Sequence, residues 1–508
     1  MQLLKTFILF QFILFCSFSV KAQEKTYKVN QLNDTPPTID GIIKETVWKN
    51  IKWRDNFTQR EPYEGRAPSQ KTVFKILHDD NNLYIAIRAY DSSPDSVVQR
   101  LSRRDNREGD NISVHIDSYN DNRTAFVFNV SAAGVKSDWI TSDDGNNRDD
   151  NWNPIWHVKT NLDSLGWTAE MKIPFTQLRF SKKGKQKWGL QITRHIYRYD
   201  EEVHWKLIPQ DAGGWVSQFG IMNGMDNIEP QKEKSITPYT VAKLERFKKE
   251  ANNPFKSDGQ STNLNAGLNG KFGVTNNLTM DLAINPDFGQ VEADPSQVNL
   301  SAYETYFEEK RPFFIEGNNI MKFRLMQFGD FMSDNLFYSR RIGSSPHYNP
   351  DLEDDEYVNK PDNTSILGAA KLTGKTKHGW SVGILESMTQ RERAEISNGT
   401  NSRFETIEPL SNYFLTRVEK DFNEGNTLFG GIFTSTTRKI ESEHLNFMHD
   451  QAYTGGLNFQ HQWKDKTYFV GARSIFSHVR GDEEAILNTQ QSSARYYQRP
   501  DASYVNVD

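Results

Sequence analysis

The feature that most constrains this chain is a two-residue alternation that begins near Ser235 and is sustained for most of the remaining sequence. Leu264, Ala266 and Leu268 alternate with Asn263, Asn265, Gly267 and Asn269. Leu457, Phe459 and His461 alternate with Gly456, Asn458 and Gln460. Successive side chains of a strand point to opposite faces, so each such stretch has one apolar face and one polar face. The pattern predicts strands at Ile236–Leu244, Thr262–Phe272, Leu278–Ile284, Ser365–Thr373, Trp380–Thr389, Tyr413–Lys420, Thr427–Thr436, Tyr453–Trp463 and Thr467–His478. Polar turns such as Asn423-Glu424-Gly425-Asn426 separate them. Segments of about ten residues with this texture are the signature of an outer-membrane barrel. A second soluble β domain fits the same alternation.

Composition narrows the choice. Hydrophobic residues are 36% of the 508, aromatics 12%, and mean hydropathy is −0.72. After the N-terminus no run of about 20 apolar residues exists to form a spanning helix. A charge of −5 offers no basic footprint for nucleic acid. Met1 to Ala22 reads as a secretory signal: Lys5, then a nearly unbroken apolar run from Thr6 to Val20, then Val20-Lys21-Ala22. The single cysteine, Cys16, leaves with it, so the mature chain has no disulfide, thiolate metal site or cysteine nucleophile.

Residues 27–228 have a different texture, with short strands between turn clusters. Val73 to Leu77 and Leu83 to Arg88 flank His78-Asp79-Asp80-Asn81-Asn82, a hairpin signal. Ile112, Val114 and Ile116 face one way, and Ser113, His115 and Asp117 the other. Many short strands at this spacing predict a β-sandwich. Lys44 to Lys49 suits one helical turn. Between the later strands, Asn285 to Pro361 is a long irregular stretch, either a plug against a lumen or a surface excursion. The fold expected is therefore all-β: a sandwich over 27–228, then an antiparallel outer-membrane-type β-barrel region over 235–508. The polar tail from Tyr496 to Asp508 has no closing strand, so the barrel is expected to be incomplete.

Certain residues resemble known families. Pro37-Thr38-Ile39-Asp40-Gly41, Glu45, Trp48, Leu83-Tyr84-Ile85, Asp110, Asp117, Gly134, Gly166-Trp167-Thr168-Ala169-Glu170 and Ile173-Pro174-Phe175 resemble the landmarks of a family 9 carbohydrate-binding, DOMON-like module. The second half resembles the DUF5916 family, barrel-like proteins of Bacteroidetes. The resemblance rests on Asn285-Pro286-Asp287-Phe288-Gly289-Gln290-Val291-Glu292-Ala293-Asp294-Pro295, Phe307 to Gly317 and Tyr338-Ser339-Arg340-Arg341-Ile342-Gly343. It implies secretion, an outer-membrane location in contact with lipid, carbohydrate binding and further strands beyond Asp508. Such modules accompany xylanases, so glycosidic hydrolysis is the enzymatic alternative; a pore or transporter is another.

Sugar binding needs flat apolar faces ringed by polar groups. The candidates are Trp139, Trp152, Trp156 and Trp205, with Arg148 on the rim. Trp152 stands out because it lies in a polar loop from Asn147 to Pro154. Each tryptophan also reads as core, and Trp48, Trp167 and Trp188 read as core outright. The module resemblance further implies a structural calcium, for which Asp143, Asp144, Asp149 and Asp150 are the available carboxylates. For hydrolysis two carboxylates must face one sugar. Glu170 reads as structural, and Glu292, Asp294, Glu308 and Glu309, beside Lys310 and Arg311, read as an ion-pair network.

Overall fold

Apolar alternation in the first half builds two stacked sheets. The computed structural model describes residues 25–492 apart from 33, 181–183, 230–231, 251, 287–306, 308, 324–334, 377, 424 and 465. The expected export signal and the tail after residue 492 lie outside the described residues. One sheet runs Thr26–Lys28, Gly220–Asp226, Lys185–Ile196, Asn111–Asp117, Ala125–Ser131, Lys136–Ser142 and Asn147–Asp149; Glu201–His204 branches from Lys185–Ile196 and pairs with Thr58–Glu61. The other runs His157–Asp163, Gly166–Pro174, Asn82–Tyr90, Thr72–His78 and Asn30–Gln31. Phe74, Ile85, Ile87, Val114, Ile116, Phe128, Trp167, Met171, Trp188 and Leu190 fill one continuous core.

The expected alternation at Asn111–Asp117 places Ile112, Val114 and Ile116 in that core. Ser113, His115 and Asp117 point away from it but are buried too. The reason is a covering layer: Trp215 and Phe219 pack edge-on against the His115 ring. The helical turn expected near Lys44 spans Thr46–Lys49.

All nine strands predicted after residue 235 are present. They form one antiparallel sheet in chain order: Lys234–Arg246, Gln260–Gly273, Leu278–Ile284, Ile366–Lys375, Trp380–Thr389, Leu410–Phe422, Thr427–Lys439, His449–Trp463 and Tyr468–Gly481. The first and last of these do not pair among the described residues, so the sheet is open rather than a closed barrel. Its registers sort the side chains by face. Leu264, Leu268, Ile284, Trp380, Met388, Phe422, Phe429, Phe433, Leu457 and Phe459 share one face and are all exposed. Asp281, Lys371, Lys375, Ser387, Thr389, Arg417 and Glu419 share the other and are buried or half-buried.

Two things cover that polar face. Within the irregular stretch two helical turns, Pro312–Ile315 and Asn318–Met321, pack inward. Lys371 donates to the carbonyl oxygens of Phe313 and Glu316. The second cover is the sandwich. Lys375 Nζ lies 2.6 Å from Asp121 Oδ2 and 3.3 Å from Asp421 Oδ2. Arg123 reaches Asp143 at 2.6 Å, Glu419 at 3.5 Å and Asp421 at 3.9 Å. Lys466 pairs with Asp144.

Within the sandwich one carboxylate ties the N-terminal segment to the core. Glu170 is fully buried and accepts bonds from the Gly41 amide at 2.9 Å, the Asp40 amide at 3.3 Å and the Trp48 indole at 2.9 Å. It is the structural residue the sequence suggested. Burial, with the nearby Glu45 charge, pushes its pKa up to about 7 from the ordinary 4.5. The folded state thus holds the proton more tightly than the unfolded chain, so this contribution is greatest below about pH 4.5 and falls as pH rises towards 7. Amide exchange at Gly41, corrected for intrinsic rate, is expected to quicken over that window in the native protein. Glu170→Gln should flatten the dependence, and Glu170→Ala should open the segment at every pH, because buried donors left unpaired cost about 1–3 kcal/mol each.

Candidate functional site

The outward face of the sandwich sheet carries polar residues in register. Thr193, Ser113, Asn129 and Ser137 form one row across four strands, extended by His204 beside Thr193. Gln191, His115, Val127 and Trp139 form the next. His115, Asn129, Ser137 and His204 are each at most 5% exposed. Yet both ring nitrogens of His115, Asn129 Oδ1, Ser137 Oγ and His204 Nδ1 have no hydrogen-bond partner among the described residues. Buried polar groups are nearly always paired with protein, water or ligand. Five such atoms on one face leave hydrogen-bonding capacity there for water or a ligand to fill.

Aromatic rings wall this floor. The His115 centroid is 6.1 Å from that of Trp139 and 5.7 Å from that of Trp215, and His204 lies 5.2 Å from Trp215. Trp215 is held close by Gly145 at φ +108°, where an added Cβ would come within 2.6 Å of the Trp215 Cβ. The rim is basic. Arg148 sits 3.9 Å and Arg107 4.8 Å from the Trp139 ring centre, and Arg60 lies 5.9 Å from that of Trp215. Burial, then the charges of His204, Arg148 and Arg107, push the His115 pKa down to about 3, against a partly opposing Glu202.

The predicted sugar platforms separate in the structure. Trp139 belongs to this wall, but its ring carries guanidinium groups, so it orients Arg107 and Arg148 rather than offering a bare stacking face. Trp156 and Trp205 are buried and offer no platform. Trp156 donates its indole N–H to Asp138 at 3.0 Å. Trp205 packs edge-on to Phe74 at 5.5 Å. Trp152 is half-buried against Phe126 and Phe128 and lines an open cleft between the sandwich and the second sheet, about 560 Å³ with its open solvent included. Asp149 and Arg179 line it from the sandwich; Glu316, Asn319 and Lys375 line it from the other side.

The four aspartates do not form a calcium shell. Asp143 faces Arg123, and Asp150 faces Arg148. Asp144 accepts from Ser217 and the Trp215 amide and pairs with Lys466. Asp149 turns to the core side and binds Asn151. Among the described residues no group of three or more potential ligands gathers. Carboxylates adjacent in sequence diverge because strand alternation sends Asn147 and Asp149 one way and Arg148 the other. Of the carboxylates weighed for hydrolysis, Glu309 is clasped by Arg311 at 2.8 and 2.7 Å and by Ser339; Glu292, Asp294 and Glu308 lie outside the described residues.

Sequence reasoning missed Trp215, His115 and Arg107. The Gly213-Gly214-Trp215 run was the available signal, since a glycine pair lets a large ring approach a neighbouring backbone.

Fold and site together define a two-part all-β protein: a sandwich with a polar, aromatic-walled face, joined to an antiparallel meander with one apolar face. Residues 234–501, more than half the chain, match the family described as Domain of unknown function (DUF5916), and the protein belongs to that family. Residues 39–203 match the family described as Carbohydrate family 9 binding domain-like. Among solved structures, the chain is similar to a carbohydrate binding module family 9 from Caldicellulosiruptor kristjanssonii in complex with cellotriose. That likeness has 20% identity and a TM-score of 0.29, covering 39% of this chain and 92% of that one. It is also similar to the module from the same organism in complex with glucose, at 19% identity and a TM-score of 0.29, covering 39% and 94%. No curated protein sequence matches it.

If His115 is neutral throughout the physiological range, its ring proton resonances should show no titration between pH 5 and 8. An inflection near 6.5 would show the site to be open and hydrated.

Proposed function

We propose that this is an exported carbohydrate-binding protein of the outer membrane that captures oligo- or polysaccharide for use by the cell. The observation that carries the binding half is the set of five unpartnered polar atoms at His115, Asn129, Ser137 and His204 beneath Trp139 and Trp215. Sugar hydroxyls donate and accept at once, so they suit a floor of imidazole, amide and hydroxyl groups. The match of residues 39–203 to the family 9 binding domain supports the same reading. Isothermal titration of the full-length chain with a glycan panel tests it. His115→Ala and Asn129→Ala should each weaken the best ligand about tenfold, as expected for loss of one or two buried hydrogen bonds. Undiminished binding in both variants would move the site elsewhere, and the Trp152 cleft would be next.

The membrane half is supported by the meander's apolar face. Its strands are 7 to 15 residues long, against the 9–11 that cross a bilayer, and one face is largely apolar. In water so large an apolar surface is a liability; in lipid it is the stable arrangement, with polar groups turned away from the hydrocarbon. The full-length protein should fractionate with outer membranes and migrate faster on a gel when unheated. Recovery in the soluble fraction, with no heat-dependent shift, would leave the sheet as a second soluble domain.

A further inference from the structure

The rim of the His115 site has a charge arrangement that a neutral sugar does not use. Trp139 holds two guanidinium groups near its ring, Arg148 at 3.9 Å and Arg107 at 4.8 Å. Arg148 has a carboxylate partner in Asp150, and Arg60 has Glu61 at 2.9 Å and Glu202 at 3.9 Å. Around Arg107 no carboxylate oxygen comes within 4.0 Å among the described residues; the charges acting on it are Arg148 and, more weakly, the carboxylates of Asp150 and Glu202. Burial and the Arg148 charge lower the Arg107 pKa, against Asp150 and Glu202, which raise it. Two guanidinium groups sharing one indole are stable together when an anion bridges them, because charge-assisted bonds to a carboxylate or sulfate are about twice as strong as neutral ones. Arginine presents those donors as a planar fork that matches such oxoanions.

We propose that this site selects acidic glycans: a sugar whose hydroxyls meet the His115 and Asn129 floor and whose anionic substituent is held by Arg107 and Arg148. The inference rests on the carbohydrate reading above and adds the class of sugar. Trp139 then acts as the base that sets the two forks side by side, which is why its own ring face is covered. Held by the indole, the arginines lose less side-chain freedom when the anion arrives.

The test is titration of the full-length chain in detergent with matched pairs of trisaccharides. Each pair is one neutral sugar and its uronic acid (glucose with glucuronate, galactose with galacturonate, mannose with mannuronate), with sulfated galactose as a further arm. At least one acidic member should bind tenfold or more tightly than its neutral partner, and that ratio should shrink as salt is raised from 0.05 to 0.5 M. Arg107→Gln should bring the ratio towards one, and Arg148→Gln should lower it independently. The salt series needs no variant, so it stands even if a substitution impairs folding. Tighter binding of the sulfated arm would assign sulfate as the anion and support the proposal. Equal affinity within every pair would overturn it while leaving carbohydrate binding intact. No binding of any member would overturn both.

Discussion

Everything in this molecule depends on how charge is buried between its two halves. Asp121, Arg123, Asp143 and Asp144 on the sandwich meet Lys375, Glu419, Asp421 and Lys466 on the meander. Most of these side chains are under 10% exposed. Taking charges out of water is expensive unless each finds a partner, and removing one partner of a buried pair costs about 3–5 kcal/mol. The contact is therefore specific rather than adhesive: the charges match only in one docking arrangement. Burial lowers the Arg123 pKa and the surrounding carboxylates more than reverse this, leaving it above its usual value. The sandwich is fixed to the polar face of the sheet, and the Trp152 cleft exists only because of that fixation.

The same logic explains the meander. Its polar face is covered by the sandwich and the two helical turns around Gly317 and is laced by its own ion pairs. Its apolar face has no such cover among the described residues. A sheet that encloses ionic groups such as Lys371, Lys375 and Arg417 while leaving Leu264, Phe429, Leu457 and Phe459 outside reverses the usual arrangement of a soluble domain. Lys371, buried under the Phe313 and Glu316 carbonyl oxygens, is a clear case, since a lone ammonium there would be intolerable without those acceptors.

Much of this was legible in the sequence. Nine strands were readable because alternation is a local property: each residue's face follows from its neighbours two positions away. The small sheet of Tyr357–Asn359, Glu392–Ser397 and Ser402–Glu408 was missed because its strands are short and polar. At Asn111–Asp117 the alternation was right, but it did not reveal that the polar side would also be covered. The site was less legible for the same reason. Trp139, Trp156 and Trp205 differ in surroundings made by segments far away in the chain, and a polar neighbourhood in sequence did not expose them. The pairing of Lys375 with Asp121 spans 254 positions, a separation at which no periodic signal survives.

The strand Thr26–Lys28 runs parallel to Gly220–Asp226, and Asn30–Gln31 runs parallel to Thr72–His78 in the opposite sheet. The first pair is closed by bonds from Ile221 to Lys25 and from Val29 to Asn223, each 2.8 Å. Tension on the N-terminal end of the sandwich against its exit towards the meander pulls these two strands along their length in opposite directions. Their hydrogen bonds then carry load together instead of opening one at a time. A short parallel seam at the edge of each sheet is thus a mechanical clamp on the N-terminal segment.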